Sequence, residues 1–416
     1  MRALARTGVR TEQDRGVLLR VLERLSNRSN PFADLEADLG RLSALGRRRT
    51  LEHSGGLDFT SNDYLGLAAS AELSGAASDA LSRQIPIGAG GSRLLRGNHS
   101  EHEALEHAAA AYFGAESSLY FGSGFAANST LFATAPQRGD LIVHDEWIHA
   151  SVRDGMRQSR AETLSARHND PQSFRDAILR WRAGGGTGRV WIAVESLYSM
   201  DGDGPDLEGL DCLAIEHGAI LVIDEAHATG VLGVSGRGRA AFLEGRENVI
   251  AVHTCGKALG TAGALVCAPR ILNDFLVNRG RPFIFSTAPS PLIAAVTRAA
   301  LALCERSDAR RERLQRLVAC ATRALAHHCG LTASGSHILP IVVGEDRAAT
   351  DLAAGLRELG FDVRAIRPPT VPTGTARLRI ALTLNVDESA IESLFRTLAS
   401  MTAFGANRPA PPFRQR

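Results

Sequence analysis

Lysine is almost absent from this 416-residue chain. Its 47 basic residues include a single lysine, Lys257, and are otherwise arginine. Arginine carries charge as well as lysine does, but its guanidinium stays protonated. It therefore cannot supply an amine that loses its proton and acts as nucleophile or base. Other absences narrow the field. Net charge is only +2, so no whole-molecule field draws the chain to nucleic acid or a membrane surface. None of the six cysteines (Cys212, Cys255, Cys267, Cys304, Cys320, Cys329) forms a C-x-x-C pair. Most stand in apolar runs and read as reduced, buried thiols of a cytoplasmic protein. No apolar run is long enough to cross a bilayer. The Arg-rich start lacks an uninterrupted apolar segment and contains Glu12 and Asp14, which argues against a signal or transit peptide. No internal repeat is visible.

The length suggests two domains with a terminal arm. Hydrophobic residues make up 44% and charged residues 22%, the balance of a soluble globular protein. Val17, Leu18, Val21, Leu22 and Leu25 recur at helical spacing, and Ser26 to Pro31 ends that helix. Leu57 to Leu67 reads as a strand leading into a turn. From about residue 100, helices alternate with short strands at 118–121, 141–143, 190–194, 219–223 and 249–253. The last three are continuous apolar runs, as in parallel strands buried on both faces. The expected fold is α/β, a mostly parallel doubly wound sheet with its ligand at the strand C-termini. Beyond Pro291 the pattern predicts a long helical region from Leu292 to about His328. Strands at 338–343, 361–366 and 377–382 and helices at 348–359 and 388–401 follow. The expected division is a helical arm over 1–56, a large domain over 57–291, a smaller α+β domain over 292–405 and a disordered tail over 406–416.

Three of these strands end on polar residues. The first delivers Glu195 and then Ser199, the second Asp224 and His227, the third Thr254 and Lys257. Lys257 is the only formal charge between Val249 and Val266, so its surroundings should lower its pKa. Gly122-Ser-Gly-Phe-Ala-Ala-Asn128 follows a strand and should open a helix, whose free N–H groups and dipole suit a phosphate; a plain helix cap explains that loop equally well. Amine, phosphate cradle and strand-end carboxylate together match the needs of pyridoxal 5'-phosphate. Its aldehyde needs the lysine, its phosphate the backbone donors, and its ring nitrogen an acid that keeps it protonated.

Ser61-Asn-Asp-Tyr-Leu-Gly66, Ser123-Gly-Phe-Ala-Ala-Asn128, Met200-Asp-Gly-Asp203, Asp224-Glu-Ala-His-Ala-Thr-Gly230 and Thr254-Cys-Gly-Lys-Ala-Leu-Gly260 occur in this order. In this respect the chain resembles the α-oxoamine synthases from about residue 57 to 400. The resemblance implies a fold-type I pyridoxal-phosphate transferase that condenses an amino acid with an acyl thioester and releases carbon dioxide. Ala365-Ile-Arg-Pro-Pro-Thr-Val-Pro372 with Gly374-Thr-Ala-Arg-Leu-Arg379 is most similar to the biotin-pathway member. That member would join L-alanine to a pimeloyl group carried on coenzyme A or a carrier protein.

By the same resemblance Lys257 would link covalently to the cofactor. Asp224 would pair with the ring nitrogen, and His227 would hydrogen-bond the phenolic oxygen with Ser199 nearby. His149 would stack on the ring. Ser123, Gly124, Phe125 and Thr254 would hold the phosphate, joined by Thr287 reaching across a homodimer. Asn62 and Arg379 would hold the amino-acid carboxylate, and Glu195 would lie near the substrate. No nucleic acid, membrane or metal is implied. Other readings stand beside these. Asp224 could be a helix cap, His149 a structural histidine, and Glu195 and Ser199 turn formers. One of Arg377 and Arg379 should be a surface or interface residue, and the motif favours Arg379 for the site.

The loop Ser92-Arg-Leu-Leu-Arg-Gly-Asn-His-Ser100 departs from some family members. Arg93, Arg96 and His99 could hold a distal carboxylate or coenzyme A phosphates, or form a solvated turn. Two metal-like patterns fail on spacing. His102 and His107 are five apart and point to different helix faces. Pro205 interrupts the calcium-loop pattern begun by Asp201-Gly-Asp-Gly204.

Overall fold

The computed structural model describes residues 30–402. The helix expected around Val17–Leu25 and the tail expected from residue 406 lie outside them. Within the expected arm, Ala33–Ala44 is a helix with no buried residue. The strands, in chain order, are β1 (Leu57–Asp58), β2 (Ser117–Phe121), β3 (Leu141–Asp145), β4 (Glu162–Ala166), β5 (Val190–Glu195) and β6 (Ile220–Asp224). They continue as β7 (Val249–Thr254), β8 (Ala264–Ala268), β9 (Ile338–Gly344), β10 (Phe361–Asp362), β11 (Arg364–Ile366) and β12 (Ala376–Ala381).

Seven strands form the central sheet in the order β2-β8-β7-β6-β5-β3-β4. All pairings from β7 to β4 are parallel; β8 alone runs against its neighbours β7 and β2. Alternate residues of β5 serve opposite faces. Trp191 and Ala193 join Leu131, Phe132, Val222 and Val252, while Ile192 and Val194 join Phe174, Ile178, Leu210 and Ile223. Because both faces are covered, the strand reads as an unbroken apolar run. β4 was not foreseen because Glu-Thr-Leu-Ser-Ala at the sheet edge is mostly exposed and carries no such run. β8 was not foreseen although it is itself a buried apolar run; a loop over residues 255–263 joins it to β7. In that loop Cys255 N–H bonds to Gly263 O at 2.9 Å and Thr261 N–H to Cys255 O at 2.9 Å.

The C-terminal part carries a three-stranded antiparallel sheet, β11-β12-β9. The long helix expected over 292–328 is two helices, Pro291–Glu305 and Asp308–Cys329. The break is held by Arg311, whose Nη1 donates to Cys304 O at 2.7 Å, and by Ser307 Oγ, which donates to Leu303 O at 2.7 Å. The expected strand at 361–366 also divides: β10 pairs with β1 and β11 with β12. Residues 57–58 were grouped with the large domain, yet their strand partner is Phe361–Asp362, and Phe59 O accepts Ala381 N–H at 2.9 Å. These bonds draw the Ser61–Gly66 turn over the ends of the central strands. The Lys257 loop approaches it so closely that a Cβ on Gly260 (φ +65°) would fall 2.5 Å from Ala68 N.

β3 ends on the buried Asp145. Its carboxylate accepts Trp147 N–H and Asn169 N–H, each at 2.8 Å, and pairs with His168 Nδ1 at 2.9 Å. Nε2 of the same ring pairs with Asp203 at 3.0 Å, which ties the loop after β4 to the loop after β5. Burial alone would lower the His168 pKa, but the two carboxylates outweigh it and push the ring up to about 9. A histidine raised on folding stabilises fully below its unfolded value of about 6.5, and that contribution is lost as pH climbs through the folded value. Urea unfolding should show the wild type losing about 2 kcal/mol more than His168→Gln between roughly pH 7 and 10. Parallel pH dependences of the two proteins would refute the assignment.

Candidate active site

Register brings the strand-end residues together. Glu195 of β5 lies opposite Asp224 of β6, and Asp224 lies opposite Val252 of β7, two residues before Thr254. Lys257 follows β7, half-buried, with Nζ 3.0 Å from His227 Nε2. Burial disfavours its ammonium. Asp224 and Glu195 favour it, Arg379 opposes it, and the amine settles at about 8. His227 is buried and held well below the usual imidazole range by desolvation, then by Lys257 and Arg379, so it is neutral. Glu195, also buried, is raised well above the usual carboxyl range by desolvation and by neighbouring Asp224.

Asp224 is buried, but both of its hydrogen bonds come from neutral donors. Asn128 Nδ2 reaches Oδ2 at 2.7 Å and Ala226 N–H reaches Oδ1 at 2.9 Å. Asn128 Nδ2 also donates to Ser151 Oγ at 3.0 Å. Ser151 Oγ lies 2.8 Å from His149 Nδ1, which accepts Ser151 N–H at 3.2 Å. His149 thereby caps the helix Ala150–Gln158 and presents the rest of an exposed ring to the site.

The Gly122–Asn128 loop opens the helix Gly124–Thr134 as expected. Ser123 Oγ accepts Ala126 N–H at 3.1 Å, and Ser123 O accepts Ala127 N–H at 3.0 Å. Both bonds leave the first helical N–H groups, of Gly124 and Phe125, without intrahelical partners. A Cβ on Gly124 would fall 2.6 Å from Thr254 Cγ2, so only glycine lets the helix end approach β7 this closely. Thr254 Oγ1 donates to Ala226 O at 3.2 Å.

From the small sheet, Arg379 enters the same space. Its Nη2 donates to Asn62 Oδ1 at 2.9 Å and its Nε to Ser199 O at 2.6 Å. Ser199 thus engages Arg379 through its carbonyl rather than through its hydroxyl. Neither arginine is at the surface as expected of one of them: Arg377 is buried too, and it bonds Asp201 at 2.5 Å and Met200 O at 3.3 Å. Thr287 is exposed, and Phe125 is half exposed. Tyr64, Asn128 and Ser151 were not legible as site residues in the sequence, although Tyr64 and Asn128 stand within the family motifs.

The Ser92–Ser100 loop is held by bonds of its own side chains. Arg93 is nearly buried and grips Glu106 with two bonds, at 2.8 and 3.0 Å, while its Nε donates to Asn98 at 2.6 Å. His99 caps the helix Ser100–Phe113 by accepting Glu101 N–H at 3.1 Å. Both side chains bond within the fold; Arg96 remains exposed. His102 bonds Pro289 O and His107 bonds Glu103 O, in separate directions.

The aminotransferase class I and II family matches residues 54–398. A relative from Anaeromyxobacter dehalogenans strain 2CP-1, named 8-amino-7-oxononanoate synthase, is 41% identical over 381 residues, 88% of this chain and 94% of its own length. A Geobacter sulfurreducens protein of the same name is 42% identical over 350 residues, covering 83% and 88%. Among solved structures, Sphingomonas wittichii serine palmitoyltransferase superposes with a TM-score of 0.81 at 27% identity, covering 90% of this chain and 98% of that one. Francisella tularensis 8-amino-7-oxononanoate synthase superposes at 0.70 with 28% identity, covering 83% and 97%.

Pyridoxal phosphate is the cofactor of such enzymes, and the residues fit it. Asp224 is a buried carboxylate bonded only to neutral groups, the partner a protonated ring nitrogen requires. Gly124 leaves room for an anion at a helix end where a Cβ would collide with Thr254. Lys257 is the one amine side chain in the sequence, and burial keeps it partly neutral near pH 8. Matched from residue 54 to 398 and more than 40% identical to relatives nearly its own length, the chain belongs to the aminotransferase class I and II family.

Proposed function

We propose that the chain condenses L-alanine with a pimeloyl thioester to give 8-amino-7-oxononanoate, carbon dioxide and free thiol, a step of biotin synthesis. The observation that carries this reading is the 41% identity to a synthase of that name across 94% of its length. Pyridoxal phosphate, bound at Lys257, supplies the electron sink for negative charge developing on the amino acid's α-carbon. Asp224 keeps the ring nitrogen protonated, His149 packs on the ring, and His227, with Ser199 nearby, holds the phenolic oxygen. Ser123, the N–H groups of Gly124 and Phe125, and Thr254 bind the phosphate. Thr287 reaches it from the other protomer of a homodimer.

Arg379 and Asn62 grip the alanine carboxylate, the guanidinium as a planar fork. Lys257 Nζ, released when the alanine amine takes its place on the cofactor, would then take the α-proton, a task suited to an amine whose pKa lies at about 8. The new bond joins alanine Cα to the thioester carbonyl carbon as the C–S bond breaks and the thiol departs. After the carboxylate carbon leaves as carbon dioxide, Lys257 returns a proton to Cα. Glu195, its carboxyl held well above the usual range by burial and by Asp224, lies beside these events. No helix among the described residues is long and apolar enough to cross a membrane, and we place the reaction in the cytoplasm.

The superposition on serine palmitoyltransferase supports a second reading, a sister synthase using serine or glycine. Thiol release from pimeloyl-coenzyme A separates the two. Release with alanine should exceed release with glycine or serine by at least about tenfold, the effect of roughly 1.4 kcal/mol at the transition state. Faster release with serine would move the chain to the second reading. Lys257→Ala should abolish turnover. Arg379→Ala should lower kcat/KM for alanine by about a hundredfold, as loss of a charge-assisted contact of roughly 3 kcal/mol requires. Arg377→Lys should leave the alanine KM unchanged and lower only thermal stability. Equal losses at the two arginines would contradict their separate assignments.

A further inference from the structure

His227 stands between Lys257 and Tyr64, and a neutral imidazole has one proton to place on either nitrogen. The surrounding bonds decide which. Arg379 can only donate, so the Asn62 atom 2.9 Å from its Nη2 is the amide oxygen. The Tyr64 hydroxyl lies 2.9 Å from that oxygen and must donate its single proton there. Its own oxygen then offers only lone pairs to His227 Nδ1, 2.6 Å away, so Nδ1 carries the imidazole proton. Nε2 is left as a lone pair, aimed at the Lys257 amine 3.0 Å away. Each donor in the series Lys257, His227, Tyr64 points toward Asn62.

We propose that Tyr64 is a positioning residue that sets the tautomer of His227, and that Asn62, which bonds to neither His227 nor Lys257, tunes Lys257 through it. The series has two settings. With the Tyr64 proton on Asn62, Nε2 is an acceptor and favours a protonated Lys257. With the Tyr64 proton turned to His227 Nδ1, Nε2 carries hydrogen and is accommodated only by a neutral amine. Under the function proposed above, the substrate carboxylate arrives at Asn62 and Arg379. There it draws the Tyr64 acceptor away and frees the amine as a base when one is needed. That last consequence rests on the proposed reaction; the two settings do not.

Two features make the inference testable. Lys257 is the only lysine, so peptide mapping reads its acetylation without interference. Phenylalanine at position 64 keeps the ring, whose centroid lies 4.1 Å from that of His337, and removes only the hydroxyl. The charged and titratable groups that act on Lys257 or bond to it, namely Asp224, Glu195, Arg379 and His227, are unchanged in that variant. The experiment is the pH dependence of acetylation at Lys257 by acetic anhydride in the full-length, cofactor-free protein. The wild-type midpoint should lie at about 8. Tyr64→Phe and Asn62→Ala should each lower it by about one pH unit, because both release His227 to the other tautomer. The double variant should shift no further than either single one. Thermal midpoints read in parallel verify folding, and the half-buried Asn62 carries the test independently if the Tyr64 variant is unstable. An unchanged midpoint in either folded single variant, or additive shifts in the double variant, would overturn the proposal. No turnover is measured, so failure of alanine-dependent thiol release and failure of this relay are separate results.

Discussion

The site depends on one electrostatic balance. Lys257 is set where burial and Arg379 oppose its charge while Asp224 and Glu195 favour it, and the result is an amine near the midpoint of its titration at about pH 8. Remove either carboxylate and desolvation dominates; expose the site and an ordinary lysine returns. The sheet maintains the balance by register. Glu195 and Asp224 are strand partners, and Lys257 leaves the adjacent strand, so the groups meet without any long-range flexible element. Their nearness, together with burial, also holds the Glu195 carboxyl well above the usual carboxylate range.

The second half of the site comes from another sheet. β12 delivers Arg379, and β1, paired with β10, steers the Ser61–Gly66 turn to meet it. Asn62 Oδ1 is the meeting point, since both Arg379 and Tyr64 donate to it. A change in how the small sheet sits on the large one would be felt at that atom. This coupling gives the short pairing of Leu57–Asp58 with Phe361–Asp362 an importance beyond its two residues.

Much of this was legible in the sequence, and the reasons are physical. Strands buried on both faces, such as β5, must be continuously apolar, so their ends and the polar residues just beyond them stood out. The lone lysine pointed to the chemistry because arginine cannot substitute for it. The division between Arg377 and Arg379 was not legible: both are buried, two positions apart on one strand, and Asp201 engages the first of them. Partners distant in sequence were not legible. Nothing local in Leu57–Asp58 indicates a strand partner near residue 361, nor does the charged loop around Arg93 reveal that Glu106 consumes the arginine. Tyr64 and Asn128 were hidden differently. Each stands within a family motif, but their roles arise from bonds to His227 and Asp224, residues about a hundred or more positions away.

The central claim is that Lys257 is the attachment point around which every other residue is arranged. Borohydride reduction of the cofactor-loaded protein followed by peptide mapping tests it most directly, because reduction fixes the cofactor to whichever amine holds it. The account requires a single pyridoxyl-labelled peptide containing Lys257. A label confined to the N-terminal amine, or no label at all in protein carrying the cofactor, would contradict it.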